Sequence, residues 1–464
     1  MRVTIRALAA VAVCTVLAAG CSRAGGSSST TTGTSTSTAT SSAAGATGGT
    51  FGSVSDACHG GSASGSPDQG VTSSAITVGV LTDESYTKDP ELVNAANVFT
   101  DWCNAAGGIN GRKLVADIHQ TDLMAVTTAV TAACSKDFVL AGGSAALDGL
   151  AVTNRLKCLL PDYDAQPVMA QNSGSGIQLR PYNSNFVYSN FAGFYKFALQ
   201  KYPDSAQHVG ILSGSSIITT VDSAADADTV KALGGTVAYN STFPLTGTVN
   251  WTPYAEAIKS KGIKGLTFYD TPQTLIALEQ ALDNIGYKLD WINANTNAYD
   301  TSFIQQAGNT LTEQTNYAPL PGIYPLEDAK NNPATAQLTQ LFAKYAPGQP
   351  ITLQILQAWS MWLLFAESAE TCGSNLTRAC AYDAAVKESA WTGGGITAPV
   401  DEATPLAPAN CFNVEQATAS GWKAADFGAN TGPYLCGGAT VKLPSGFPAA
   451  TQLSDVGLSL SDLK

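Results

Sequence analysis

The chain has 464 residues, 44% hydrophobic but only 13% charged. Length allows two to four domains and the apolar share suffices for sizeable cores, while the charged share is about half the usual one. Lys+Arg 24 against Asp+Glu 36 gives a net charge of −12, a surface that repels phosphate backbones and so excludes nucleic acid as a partner. The 3 histidines, His59, His119 and His208, are scattered, with no carboxylate or Cys at evident ligand spacing. Zinc chemistry and His-based nucleophile systems lose their support, and neither metal nor cofactor is expected.

Residues 1–20 read as a secretory signal. Arg2 and Arg6 form the charged start, and the apolar run 7–17 is too short to span a bilayer. It ends in LAAGC at 17–21, which resembles a bacterial lipobox, so Cys21 is the expected lipidation site. Two or three acyl chains, at about 0.8 kcal/mol per buried CH₂, hold a protein firmly on a membrane. The expected location is therefore the outer face of the cytoplasmic membrane, in the cell envelope. From Ser27 to Thr50 every residue is Ser, Thr, Gly or Ala, so residues 21–74 are expected to form a disordered tether. As a flexible coil it would span about 40 Å.

Ten cysteines, less Cys14 in the signal and Cys21, leave Cys58, Cys103, Cys134, Cys158, Cys372, Cys380, Cys411 and Cys436. An even number in an exported chain points to disulfides, and eight cysteines allow 105 pairings. Short loops favour Cys372–Cys380 and Cys411–Cys436, then Cys134–Cys158, which leaves Cys58–Cys103.

From residue 75 strand and helix patterns alternate. ITVGVL at 76–81 is a strand, and residues 91–106 carry helically spaced apolar positions at Leu92, Ala95, Ala96, Phe99 and Cys103. Gly107-Gly108 stops that helix, and Asn110-Gly111 turns into a strand at 113–118. Helix 125–134, strand 138–141, helix 147–156 and a strand from Leu159 come next. A second series holds strands 208–212, 236–240, 265–269 and 291–294, with helices between them. Such alternation predicts parallel sheets with helices on both faces. Residues 318–324 read as a strand crossing back to the first domain, where the apolar helix 353–370 packs. Trp359, Trp362 and Phe365 on that helix are core positions. Residues 391–448 carry few helical signals.

The strand ITVGVL, the helix after it and NAAGGINGRKL at 104–114 resemble the opening of the type I periplasmic binding proteins. The branch is that of the leucine/isoleucine/valine-binding proteins of bacterial ABC importers, and the likeness in element order covers residues 75–446. The resemblance implies an α/β fold: two doubly wound parallel-sheet lobes joined by a three-strand hinge. The expected division is residues 75–186 with 319–392 as lobe I, 187–318 with 393–446 as lobe II, and 447–464 as a tail. It also implies a monomer working with an ABC permease and ATPase.

Ligands of open α/β sheets bind beyond the carboxyl ends of the strands. The candidate contacts are Ser85, Tyr86, Ser144, Ala145, Tyr163 and Asp164 in the first lobe, and Ser213, Ser215, Tyr269, Asp270, Asn295 and Asn297 in the second. In amino-acid-binding relatives hydroxyls and backbone amides hold the α-carboxylate and an acid holds the ammonium; Ser144 suits the first role, Asp164 or Asp270 the second. The loop SGSS at 213–216 departs from the Asn/Asp-Tyr-Gly turn of those relatives. The expected function is capture of a small polar solute, amino-acid or amide-like, for an ABC importer; a ligand-sensing receptor is the alternative. An exported hydrolase is disfavoured: GSASG at 61–65 has Ala63 where a nucleophile elbow needs its central serine, and the other Ser-Gly stretches lack an assignable His–Asp pair.

Overall fold

The structure, a computed structural model, describes residues 48–244, 248 and 250–463. Cys21 and the signal lie outside the described residues. The described chain opens with an antiparallel hairpin, β1 (Gly49–Phe51) and β2 (Val54–Cys58). The tether expected through residue 74 therefore ends earlier. Phe51 and Cys58 are fully buried, Phe51 lies 5.1 Å from the Trp359 ring, and Cys58 is bridged to Cys103. Apolar side chains return at residue 51, and their burial offsets the entropy lost in ordering the hairpin.

The first sheet contains β3 (Ala75–Thr82), β4 (Lys113–Gln120), β5 (Val139–Ala141), β6 (Asp162–Tyr163) and β7 (Gln178–Leu179). All pair in parallel, in the order β4-β3-β5-β6-β7. Ile76, Val78 and Val80 are fully buried on one side of β3, and helix Glu91–Ala105 packs there through Ala95, Ala96, Phe99 and Cys103. The chain then enters a second sheet: β8 (Val209–Gly214), β9 (Val237–Phe243), β10 (Gly265–Tyr269), β11 (Trp291–Asn293) and β12 (Asn316–Leu320). These five run parallel in the order β12-β11-β10-β8-β9. The strand expected at 318–324 to cross back thus has only its start, 318–320, in β12 of the second sheet, and the crossing begins at Pro321. Later, β13 (Cys411–Thr418) returns antiparallel to β12, flanked by β14 (Gly421–Ala424) and β15 (Leu435–Cys436).

Between β12 and β13 the chain revisits the first sheet and lays down helix Leu353–Cys372. Sixteen of its 20 residues are buried, as expected of a helix that is apolar all round. Trp359, Trp362 and Phe365 stand in the core as read from the sequence, with Trp362 stacked on Phe99 at 5.5 Å. All four favoured cysteine pairs are bridged. The segment expected as a tail also packs: Leu453 and Leu463 are buried against Val152, Leu156 and Ile177 of the first lobe. Among the described residues no helix is long and apolar enough to cross a membrane.

Truncating Phe51 to Ala empties a site between Trp102 and Trp359. It should cost about 3–5 kcal/mol in denaturant unfolding; a loss below about 1 kcal/mol would show that the hairpin is an appendage rather than core.

Candidate functional site

In the first lobe the loops after the strands are tied together by one carboxylate. Asp83, just beyond β3, accepts the Leu123 N–H at 2.9 Å and the Ala146 N–H at 2.7 Å, and it also takes the Thr121 hydroxyl. Three chain segments far apart in sequence are fixed by it. Ser85 and Tyr86 fall in the short helix Glu84–Thr87. The Ser85 hydroxyl donates to Asp122, while Tyr86 projects freely, 64% exposed. The Gly142–Ser144 loop presses on the buried helix: Gly142 has φ 63°, and a Cβ there would stand 2.3 Å from the Trp362 ring. Ser144 donates its N–H to Leu81 O at 2.9 Å and its hydroxyl to Gln166 O at 2.6 Å.

Three expected contacts of this lobe turn inward instead. Ala145 is buried in a cluster with Leu81, Val130 and Leu140. Tyr163 lies in the core, its hydroxyl 3.0 Å from Ser368 Oγ and its ring edge-on to Phe365. Asp164 accepts the Gln166 N–H at 2.9 Å, Asn172 Nδ2 at 2.8 Å and Gln178 Nε2 at 3.1 Å. Its donors are all protein groups, so it shapes the loop rather than holding an ammonium. Neighbouring Asp148 does the same, taking the N–H groups of Val168 and Met169, both at 2.8 Å.

In the second lobe Ser213 is buried with its hydroxyl unpartnered among the described residues, and Ser215 is exposed. Helix Ile217–Ala232 comes next, its start fixed by a reciprocal cap between Ser216 and Thr219. Asp226 on this helix receives two phenols, Tyr195 at 2.5 Å and the expected Tyr269 at 2.6 Å. One turn earlier, on the same face, stands half-buried Asp222. Asp270 is used locally on the Thr271 N–H at 2.6 Å. Asn295 adopts φ 60°, accepts the Asn297 N–H at 2.7 Å and donates to Asp270 O at 3.3 Å. Like Asp164 it builds its loop. Exposed Asn297 reaches the other lobe, accepting Gln354 Nε2 of the buried helix at 3.1 Å.

Sequence reasoning missed the groups where the lobes meet. Tyr182, beyond β7, lies beside Arg180, Asp164 and Gln357 of lobe I and Asp222 of lobe II. The Gln357 amide is buried with neither end hydrogen-bonded among the described residues. Asp222 feels burial and the charge of Asp226, and no donor offsets either, so its carboxyl is raised to about 8. Burial likewise lifts Asp226 to about 7, against the two phenols that favour its charged form. Burial raises Asp148 to about 7 and Glu402, near Arg180, to about 8. A helix-interior Asp four residues from another gives no sequence signal of facing a cleft; the i, i+4 spacing alone hinted that both share a face.

Residues 75–418 match the periplasmic binding protein family. The chain belongs to that family, whose members are binding proteins acting outside the cytoplasm. Among solved structures it resembles the fatty acid ABC transporter substrate-binding protein from Thermomonospora curvata, at 16% identity and TM-score 0.66, over 85% of this chain and 100% of that one. It also resembles a solute binding protein of an ABC transporter from R. palustris in complex with benzoate, at 14% identity and TM-score 0.60, covering 79% and 98%. A third is the branched-chain amino acid transporter substrate binding protein LivJ from Streptococcus pneumoniae in complex with isoleucine, at 16% identity and TM-score 0.60, covering 76% and 99%. No curated protein sequence matches the chain.

Buried acids with raised pKa set the pH response. A carboxyl that binds its proton more tightly when folded stabilises fully below the ordinary carboxyl range, and that share is lost as pH rises through the folded value. Asp148, Asp226 and Glu402, buried and raised to about 7–8, all act in this direction. The melting temperature should therefore fall between pH 5 and pH 8, and Asp226→Asn should flatten the slope. A melting temperature that rises over that range would contradict the burial of these groups as ionisable acids.

Proposed function

We propose that the chain captures a small polar solute, amino-acid or amide-like, between its lobes and delivers it to an ABC permease and its ATPase. The lobes in this reading are residues 75–186 with 319–392 and residues 187–318 with 393–446. They rotate about the crossings near 186, 320 and 395, and a ligand touching both stabilises the closed form. The observation that carries the ligand class is Asp222, a half-buried acid beside Tyr182 to which no group among the described residues donates a hydrogen bond. An ammonium or amide N–H placed against it supplies a donor and favours its charged form.

A second reading has its own support. A cavity of about 340 Å³ beside Tyr182 has a mixed lining, with Pro321, Pro399, Val400 and Pro408 alongside Asn183, Asp401 and Thr404. It suits a ligand with an acyl or aromatic body, such as the fatty acid and benzoate named for two structural relatives.

Mass spectrometry of the co-purified ligand, followed by thermal-shift screening of both classes, separates these readings. An amine or amide should bind, with Asp222→Ala costing about 1–3 kcal/mol of binding. A carboxylate with no donor group that binds equally well to Asp222→Ala would favour the second reading. The anchor rests on LAAGC at 17–21. Cys21→Ser should release the protein from membranes, and unchanged retention would refute lipidation there.

A further inference from the structure

We propose that Asp117, His119 and Asp137 form a binding site for one divalent transition-metal ion on the edge strand of the first sheet, apart from the interlobe cleft. The expectation that no carboxylate stands at ligand spacing from a histidine is thereby corrected. Asp117 and His119 alternate on β4, so both side chains share one face. Asp137 arrives through the fold, as the C-cap of helix Val126–Lys136. Gly79 on β3, paired with Asp117, leaves the room, because a Cβ there would lie 2.5 Å from Asp137 Oδ2.

One ligand atom from each residue lies within 4.8 Å of the other two. His119 Nε2 is 2.6 Å from Asp137 Oδ2 and 3.3 Å from Asp117 Oδ2. Two ligands at right angles, each about 2.1 Å from an ion, stand about 3.0 Å apart. The two separations from His119 bracket that spacing. A second observation points the same way. Asp137 is completely buried, yet its Oδ1 receives no hydrogen bond among the described residues, a cost that a coordinated cation or its water removes.

One imidazole with two carboxylates suits manganese, iron, cobalt or zinc, whereas calcium and magnesium prefer oxygen alone. The competing occupant of the same space is a proton on Nε2, which would make His119 the hydrogen-bond donor to Asp137 at 2.6 Å. Proton and metal exclude one another there. Lys136, about half-exposed, sits 2.5 Å from Asp117 Oδ2 and competes with the ion for it.

Lys136 separates the two occupants experimentally. The folded, tag-free protein is stripped with EDTA, dialysed and titrated with Co²⁺, read by its visible absorption. One Co²⁺ should bind per chain, about a hundredfold or more weaker in His119→Gln. In Lys136→Ala the affinity should rise about fivefold or more, since no ammonium competes for Asp117. The site is overturned by the absence of a stoichiometric band, by full binding in His119→Gln, or by unchanged or weaker affinity in Lys136→Ala. Lys136 is at the surface, so its variant keeps the test decisive even where the His119 variant fails to fold.

Discussion

A helix with no polar face cannot stand at a surface, and Leu353–Cys372 is such a helix. It must be wrapped, and the wrapping organises the chain. The first sheet covers one side, helix Glu91–Ala105 and the Phe51 hairpin cover another, and the Gly142 loop lies directly on Trp362. Because the helix comes after β12 of the second sheet, burying it in the first lobe forces the chain back across the hinge. Its N-terminal end then carries Gln354 to Asn297 of the second lobe, with buried Gln357 beside Tyr182. Core and cleft are therefore two ends of one element, and a ligand that touches Gln357 touches the best-fixed part of the protein.

Around that element the cleft loops are set by side chains that accept backbone and side-chain N–H groups. Asp83 gathers three loops of the first lobe, and Asp148 and Asp164 hold the segment at 166–172. In the second lobe Asp226 gathers two tyrosines, and Asn295 fixes the loop beyond β11. Hydrogen bonds to backbone N–H groups satisfy a buried carboxylate without a partner cation. A chain with only 24 basic residues can thus bury many acids, and those that remain without donors stand out as places for something else to bind.

The architecture was legible because it rests on period and punctuation. Alternating strands and helices, the apolar helix with its tryptophans and the short cysteine loops are local signals, and apart from the strand expected at 318–324 they appeared where the sequence placed them. The site was less legible because it rests on convergence. Of the residues expected at strand ends, Asp164, Asn295, Tyr163 and Ala145 serve their own lobes. An Asp after a strand looks the same whether it receives backbone amides or a ligand, and only distant segments such as Asn172 and Gln178 decide. Asp222, Gln357 and the Asp137–His119 pair left no mark for the same reason. The hairpin at 49–58 was hidden by the Ser/Thr-rich run before it, whose composition masks the few apolar residues that pin it.

The central proposal is that the two lobes close on a solute held between them, with Asp222 on one side. Small-angle scattering of the ligand-free protein and of the same sample saturated with its identified ligand tests it most directly. The account predicts a smaller radius of gyration with ligand, and no such change for Asp222→Ala at the same ligand concentration. Saturated binding with an unchanged scattering curve would contradict it.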